Sequence, residues 1–170
     1  MQKSADSPIL MRALLAGARR KQPSLLDLTR KLVEVESPSD EKAAVDACVA
    51  LAAAQARALG GRVKLHRQTG FGDVLEARFG PKPKTGVRGP ILLLGHLDTV
   101  WPLGTLESMP CRLSHGRLWG PGTLDMKAGV AIALTALEIL AEANLPGVEQ
   151  VDTMDGAARR AAELAAAKGA

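Results

Sequence analysis

The chain has 170 residues, 46% of them hydrophobic and 24% charged, and its 22 Lys and Arg against 18 Asp and Glu give a formal charge of +4. This composition excludes a wholly disordered chain and a collagen-like one, and the length fits one domain or part of a larger one. Two cysteines are too few for a disulfide framework.

Membrane and nucleic-acid partners are not expected from this sequence. The longest apolar run, Ala128 to Leu140, is interrupted by Thr135 and Glu138, and a spanning helix needs roughly 18–20 apolar residues. Arg12 interrupts the short apolar stretch near the N-terminus, so no clean signal peptide is predicted. The basic residues are scattered, and only 2% of all residues are aromatic. We therefore expect a soluble, cytoplasmic protein.

The N-terminal part of the chain has three helical patterns. Residues 8–20 form a short amphipathic pattern that ends in cationic residues. A second helix is predicted to open at Pro23, with one apolar stripe along it. The segment Ser37–Asp40 is predicted to stop that helix and to cap the next one. This third helix, Glu41–Leu59, ends at a Gly-Gly pair and places Cys48 on its buried face.

The hydrophobic period then changes to that of strands. Residues 63–66 and 74–79 alternate and are predicted to be half-exposed strands. Ile91–Leu94 is a continuous apolar run, the pattern of a central strand covered on both faces in an α/β sheet. A small hairpin is predicted around Ser114–Arg117, and a buried helix over Lys127–Ala143. The predicted fold class is thus α/β, with helices packed on a mixed, mostly parallel sheet.

His96 and Asp98 directly follow the apolar run and are the first candidate site residues. Ligands in open α/β sheets gather beyond the carboxyl ends of strands, which is where both residues are expected. Residues two apart on a strand point to the same face. Asp98 could therefore accept the second ring N–H of His96 and leave the other nitrogen free for a metal. The alternative is an ordinary histidine at a strand end, hydrogen-bonded to a turn.

Asp125 lies in the glycine-rich stretch Gly120–Gly129, at the entrance to the predicted buried helix. Its carboxylate could be an ordinary helix N-cap. A carboxylate can also bridge two divalent ions, because each of its oxygens can bind a different metal. The glycines would let the backbone approach such a site closely. Both interpretations stay open at this point.

The remaining polar candidates are weaker. His66 and His115 are predicted to be surface residues. Cys111 and His115 are four residues apart, a spacing that reaches a metal from a helix, but the stretch has the pattern of strand and turn. Trp101 either lines a substrate entrance or packs in the core or within its loop.

Residues 95–106 and 116–129 closely resemble one known family, the zinc-dependent aminoacylase-type metallopeptidases. These include carboxypeptidase G-type glutamate carboxypeptidases, acetylornithine deacetylase and succinyl-diaminopimelate desuccinylase. The resemblance covers roughly residues 22–147. It implies that His96 and Asp125 are metal ligands, with Asp125 bridging two metal ions, and that Asp98 is the catalytic-site aspartate that orients His96.

The same resemblance implies the chemistry of a complete site. It predicts two Zn²⁺ ions per full-length site, with Co²⁺ or Mn²⁺ as alternatives. It also predicts hydrolysis of an amide bond in a small peptide or an N-acyl amino acid, and a homodimer in full-length relatives.

The chain departs from the family pattern after Gly147. The resemblance requires a Glu-Glu pair that supplies the general base and a further zinc ligand, whereas Glu149, Asp152 and Asp155 lack the sequence context of that pair. No general base is identifiable, and the substrate-binding residues are unknown.

The predicted organisation has three parts: an N-terminal helical extension (1–21), a partial metallopeptidase catalytic domain (22–147) and an atypical alanine-rich tail (148–170). We expect an N-terminal fragment of a zinc metallohydrolase that is inactive by itself and exposes a sheet edge that invites self-association. The alternative hypothesis is a non-catalytic remnant or an interaction module of the same family.

Overall fold

The computed structural model describes residues 8–80 and 91–143, which form helices and short strands around one core. Helix α1 (Pro8–Glu34) and helix α4 (Ala128–Glu142) pack against each other. Lys21 links them through ion pairs to Glu138 at 2.7 Å and to Glu142 at 2.6 Å.

Helix α1 is continuous where the sequence predicted two helices. Pro23 lies inside it, and a proline in a helix interior removes one backbone hydrogen bond at a cost of about 3 kcal/mol. Contacts on both sides of Pro23 offset this loss, because Lys21 binds α4 before it and Leu28 joins the core after it. The expected break was therefore wrong. Helix α1 also crosses the predicted boundary between residues 21 and 22, and that division of the chain stays a prediction.

Helix α2 (Lys42–Ala58) packs against a hairpin of strands β1 (Arg62–His66) and β2 (Val74–Arg78). The two strands pair in antiparallel register along their full length. These elements confirm the third predicted helix and both alternating strands to within one or two residues. Cys48 is fully buried in α2, as expected.

The run Ile91–Leu94 is not the central strand that the sequence predicted. In the described parts of the chain, residues 91–98 belong to no β-ladder, and the first and last residues of the run are 58% and 60% exposed. Both ladders in these parts are antiparallel, and a single bridge between Pro38 and Thr99 is parallel. An apolar run favours a buried strand only where neighbours cover its edges, and the run itself carries no information about them. The α/β class is confirmed, while the ladders formed by residues 8–80 and 91–143 include no parallel one.

The predicted hairpin and the predicted apolar helix are both present, but the helix is buried on one face only, since Ile132 is 55% exposed. Strands β3 (Arg112–Ser114) and β4 (Arg117–Trp119) pair in antiparallel register, after a short helix α3 (Thr105–Ser108). Helix α4 follows a turn over Thr123–Lys127. It closes a core whose buried side chains come from α1, α2, α4, the β2 region and Leu97: Leu28, Leu32, Val45, Cys48, Val49, Ala52, Ala56, Ala77, Phe79, Leu97, Ala131, Leu134 and Leu137.

Neither the alanine-rich tail nor the cytoplasmic location can be assigned from the described residues. The alanine-rich tail of residues 148–170, with Glu149, Asp152 and Asp155, lies outside the described residues. Within residues 8–80 and 91–143, none of the helices has the length and apolar content needed to cross a membrane. The cytoplasmic location stays a prediction.

Candidate metal centre

Asp98 is held in place by the segment that follows α1. The backbone N–H of Thr99 donates to the Ser37 carbonyl at 2.8 Å, and the backbone N–H of Ser39 donates to the Thr99 carbonyl at 3.0 Å. The buried Ser37 hydroxyl donates to the Leu97 carbonyl at 2.7 Å. The two extended segments thus run side by side, and their hydrogen bonds fix the backbone on both sides of Asp98.

Asp125 is carried by the glycine-rich turn that precedes α4. Gly122 has a φ of +69°, and a Cβ at this position would lie 2.4 Å from Cγ2 of Thr99, so the turn requires glycine here. The N-cap position of α4 is Lys127 and that of the preceding turn is Gly122, so Asp125 occupies neither position. The interpretation of Asp125 as an ordinary helix cap is therefore wrong. Its side chain is 87% exposed and directed to the site.

Lys127 ties this turn to the end of α1. The residue is 1% exposed, and its Nζ donates to the carbonyl of Leu32 at 2.8 Å and to that of Val35 at 2.7 Å. The last carbonyls of a helix have no partner within the helix, and the ammonium group satisfies that of Leu32 together with that of Val35, the residue after α1. Burial lowers the pKa of this ammonium group. The turn with Asp125 and the segment with Asp98 are therefore both attached to the chain around the end of α1.

His96 and Asp125 meet at this junction. Nε2 of His96 lies 3.0 Å from Oδ1 of Asp125. Nδ1 of His96 lies 3.0 Å from the Asp98 backbone carbonyl and 3.4 Å from Oδ1 of its carboxylate. The nearer acceptor of the second ring N–H is thus the carbonyl rather than the expected carboxylate, and the carboxylate lies behind it as a close negative charge.

Both ring nitrogens of His96 face oxygen acceptors, an arrangement that favours the doubly protonated ring. Partial burial lowers the pKa of His96, but the hydrogen bonds to the Asp98 carbonyl and the Asp125 carboxylate outweigh it, so the pKa is raised. A metal ion at Nε2 would take the place of the proton that this nitrogen now shares with Asp125, because a ligating histidine must be neutral.

The separation of these two side chains fits two ligands of one metal ion. Ligands about 2.0–2.1 Å from a tetrahedral zinc lie about 3.3 Å apart, close to the observed 3.0 Å between Nε2 of His96 and Oδ1 of Asp125. Imidazole nitrogen and carboxylate oxygen are both ordinary zinc ligands. Across residues 8–80 and 91–143, however, histidine, cysteine, aspartate and glutamate side chains form no group of three that could hold a metal. The described residues therefore fit part of a metal site.

A cavity of about 320 Å³ opens beside His96 and Asp125. Its rim carries apolar side chains that face solvent, with Val100 90%, Trp101 39% and Leu124 94% exposed. Trp101 lines this cavity and is not buried in the core, and its role at a substrate entrance stays a prediction. The arrangement leaves room for a small ligand next to the paired side chains.

The loop behind this rim is fastened by Glu36. Its Oε2 accepts from the Gly104 N–H at 2.7 Å and its Oε1 accepts from the Leu106 N–H at 2.9 Å. These backbone hydrogen bonds lower the pKa of the Glu36 carboxyl. A third part of the site is thus attached to the chain just after α1.

The other candidates of the sequence lie apart from this centre. His115 is exposed in the turn of the β3–β4 hairpin, as expected. His66 is not a free surface residue, because its Nε2 lies 2.8 Å from Oε2 of the buried Glu76. Cys111 and His115 form no metal-binding group in the described part of the chain.

Sequence reasoning missed Ser39, Lys127 and Glu36. The stretch around Ser39 was interpreted as a helix cap, but the N-cap of α2 is Glu41, and it forms no side-chain cap hydrogen bond. The sequence offers one signal for Lys127: it is a charged residue at the start of an otherwise apolar helix. Nothing local in the sequence indicates the partners of Ser39 or Glu36, which lie 59 to 70 residues away along the chain.

Comparison with known proteins connects this geometry to a family. Residues 92–152 match the model of Peptidase family M20/M25/M40. The chain is 30% identical over 131 residues to carboxypeptidase G2 of Pseudomonas sp. (strain RS-16), a match that covers 76% of this chain and 31% of that protein. It is 32% identical over 114 residues to succinyl-diaminopimelate desuccinylase of Corynebacterium glutamicum, covering 67% of this chain and 28% of that protein. The chain therefore spans less than a third of the length of either relative.

Proposed function

We propose that this chain, which resembles the M20/M25/M40 peptidases over the motifs of His96 and Asp125, contributes to a zinc-dependent hydrolase that cleaves an amide bond. The observation that carries the proposal is the 3.0 Å approach of His96 Nε2 to Asp125 Oδ1, from motifs 29 residues apart in the sequence. No helix cap or core contact accounts for it. Two exposed metal-ligand side chains meeting beside a cavity support a metal centre at this place.

In this proposal each side chain has one task. Nε2 of His96 and the carboxylate of Asp125 would hold one zinc ion, and the same carboxylate would also serve a second ion. The backbone carbonyl of Asp98 accepts the Nδ1 proton and the Asp98 carboxylate lies behind it, so the ring keeps the orientation in which Nε2 faces Asp125. Bound zinc would polarise the amide carbonyl and acidify a water molecule, and Co²⁺ or Mn²⁺ could replace it.

The proposed substrate is a small peptide or an N-acyl amino acid. The two relatives are named as a carboxypeptidase and a desuccinylase, which remove an amino acid and a succinyl group respectively. The cavity of about 320 Å³ beside His96 and Asp125 is of a size that suits such a small molecule. A cytoplasmic location and a homodimer of the full-length protein belong to the same proposal.

Catalysis by this chain alone is not part of the proposal. A catalytic zinc ion normally has three protein ligands and an open position, whereas the described residues bring together two. None of the described carboxylates is assigned as the general base. The remaining ligands and the base would have to come from residues other than those that the structure describes.

Titration calorimetry with ZnCl₂ tests the proposed metal role. We expect weak binding to the unaltered chain, and loss of binding in His96→Ala and in Asp125→Asn. His115→Ala is the matched control, because His115 is an exposed histidine on the hairpin turn, and it should leave binding unchanged. Binding that survives both His96→Ala and Asp125→Asn would overturn the proposal.

The second candidate function is an interaction module. It is favoured by the exposure of the apolar run Ile91–Leu94, whose ends are 58% and 60% exposed. A cavity of about 740 Å³ lies between this run, β2 and α4. An interaction module would bind a partner, or a second copy of the chain, equally well after His96 and Asp125 are replaced by alanine. Unchanged binding in that double variant therefore distinguishes an interaction module from a metal-dependent hydrolase.

A further inference from the structure

The Ser39 hydroxyl contacts the carboxylate that faces His96. Its Oγ lies 2.6 Å from Oδ2 of Asp98, while Oδ1 of the same carboxylate lies 3.4 Å from Nδ1 of His96. The two oxygens of Asp98 are therefore shared between the serine and the histidine. Ser39 has no role in the motifs that point to the metal centre.

The proton of the Ser39 hydroxyl has two possible acceptors. The Thr99 carbonyl lies 3.2 Å from Oγ, and Oδ2 of Asp98 lies 2.6 Å from it. A hydroxyl donates one proton, and hydrogen bonds to a carboxylate are shorter and roughly twice as strong as those to a neutral carbonyl. The shorter contact identifies Asp98 as the acceptor.

The backbone fixes the place of this hydroxyl. Ser39 N–H donates to the Thr99 carbonyl at 3.0 Å, and Thr99 N–H donates to the Ser37 carbonyl at 2.8 Å. Ser39 is thus held beside the residue that follows Asp98, even though the two lie 59 positions apart in the sequence. A partly exposed carboxylate such as that of Asp98 would otherwise turn freely toward water.

We propose that Ser39 is a positioning residue, whose hydroxyl holds the Asp98 carboxylate against the ring of His96. This inference rests on the proposed metal role of His96. By binding Oδ2, the serine leaves Oδ1 directed to Nδ1. The negative charge then stays behind the ring and makes Nε2 a better metal ligand. Loss of groups that support a metal ligand in this way typically weakens metal binding about 10–100-fold.

The test compares three variants of the full chain. Ser39→Ala removes the hydroxyl, Ser39→Thr keeps it at an exposed position, and Ser37→Ala is the matched control. Ser37 belongs to the same pair of segments, but its hydroxyl binds the Leu97 carbonyl rather than Asp98. Two quantities are measured: the Zn²⁺ dissociation constant by calorimetry, and the χ1 rotamer of Asp98 from three-bond NMR couplings to its Cγ in metal-free protein.

We expect Ser39→Ala to average the Asp98 rotamer and to raise the Zn²⁺ dissociation constant about tenfold or more, with Ser39→Thr restoring both. Ser37→Ala should lower the melting temperature and leave the rotamer fixed. An Asp98 rotamer that stays fixed in Ser39→Ala, or that averages equally in Ser37→Ala, overturns the inference. If the unaltered chain shows no Zn²⁺ binding that depends on His96, the proposed function fails, while the rotamer measurement still decides the role of Ser39.

Discussion

The ammonium group of Lys127 lies 2.7 Å from the backbone carbonyl of Val35 and is shielded almost completely from solvent. Two residues before Lys127 in the chain is Asp125, and two residues after Val35 is Ser37, which is bonded to the segment of Asp98. A single buried lysine therefore joins the two parts of the chain that carry the candidate metal ligands.

Replacing Lys127 with methionine should destabilise the protein strongly. The change leaves the carbonyls of Leu32 and Val35 buried without this donor, at an expected cost of about 2–3 kcal/mol in the free energy of unfolding. Urea denaturation measures this cost. Lys21→Met is the control, because Lys21 also links α1 to α4 but through partly exposed ion pairs, which contribute about 0–1 kcal/mol. Equal losses in the two variants would contradict this account.

Replacing Gly122 with alanine should separate a steric effect from a backbone effect. Gly122 and Gly116 have nearly equal φ values, +69° and +71°, but a Cβ meets Thr99 at Gly122 and nothing within 4 Å at Gly116. Gly116→Ala should lower the free energy of unfolding by about 1–2 kcal/mol, because alanine is strained in the left-handed backbone conformation. Gly122→Ala should cost more and should also abolish Zn²⁺ binding, because it displaces the turn that carries Asp125. Thermal unfolding measures the stability of both variants, and titration calorimetry measures their Zn²⁺ binding. Unaltered Zn²⁺ binding in Gly122→Ala would contradict the proposed role of the turn.

Acid stability should depend on Asp73. The Lys42 ammonium at 2.9 Å and the Gln68 backbone N–H at 3.1 Å, with Arg67, hold the pKa of this carboxyl at about 2. The corresponding pKa in an unfolded chain is about 3.9, so ionised Asp73 stabilises the fold above that pH. This contribution should be lost as the pH falls from about 4 to about 2.

The measurement is the melting temperature at pH 7, 4, 3 and 2. Asp73→Asn should lower it at neutral pH and should flatten its decline below pH 4. Asp27→Asn is the control, because Asp27 is 58% exposed and pairs with Lys31 one turn along α1. A decline in Asp73→Asn as steep as that of the unaltered chain would show that other carboxylates are responsible.

The purified chain should self-associate through the apolar run Ile91–Leu94. Leu94 is 60% exposed, and Leu94→Lys should reduce the average mass seen by analytical ultracentrifugation. Leu15→Lys is the control, since Leu15 is similarly exposed, at 53%, but lies on α1. An unchanged mass in Leu94→Lys, or an equal reduction in Leu15→Lys, would place the association surface elsewhere.

The chain by itself should not hydrolyse N-acyl amino acids or glutamate-terminated peptides in the presence of Zn²⁺ or Co²⁺. Loss of a general base alone typically lowers a rate by about 10²–10⁴-fold, and the described residues also lack a third metal ligand. Metal-dependent turnover that disappears in His96→Ala and Asp125→Ala would contradict this expectation. It would mean that Glu149, Asp152, Asp155 or a second copy of the chain completes the site.

Local pattern was enough to predict α2, α4, the strands β1 and β2 and the β3–β4 hairpin, because each depends on a period or a turn that its own residues specify. The pairing of β1 with β2 was not predicted. The approach of His96 to Asp125 was predicted from the resemblance of two short motifs to one family, since the local pattern left an ordinary alternative open for each residue. The predicted break at Pro23 was wrong, because α1 has contacts on both sides of the proline, with α4 through Lys21 and with the core through Leu28, that a local pattern does not specify. The prediction of a central strand at Ile91–Leu94 failed for a related reason. The pairing of a strand depends on neighbouring strands that the apolar run itself does not specify.

The supporting residues of the site could not be predicted from the sequence. Lys127 and Leu32 are 95 positions apart, and Ser39 and Asp98 are 59 positions apart. Such contacts depend on how α1 lies against the turn before α4, which is a property of the whole fold. Serine and glutamate are also common surface residues, so neither Ser39 nor Glu36 differs from a solvated side chain until its partner is known.

The most direct test of a shared metal is a crystal of the full chain soaked in ZnCl₂ and measured at the zinc absorption edge. We predict an anomalous peak about 2.0–2.1 Å from Nε2 of His96 and about 2.0–2.2 Å from a carboxylate oxygen of Asp125. A well-ordered site in which zinc binds other residues, such as Cys111 or the His66–Glu76 pair, and leaves His96 hydrogen-bonded to Asp125 would contradict the account.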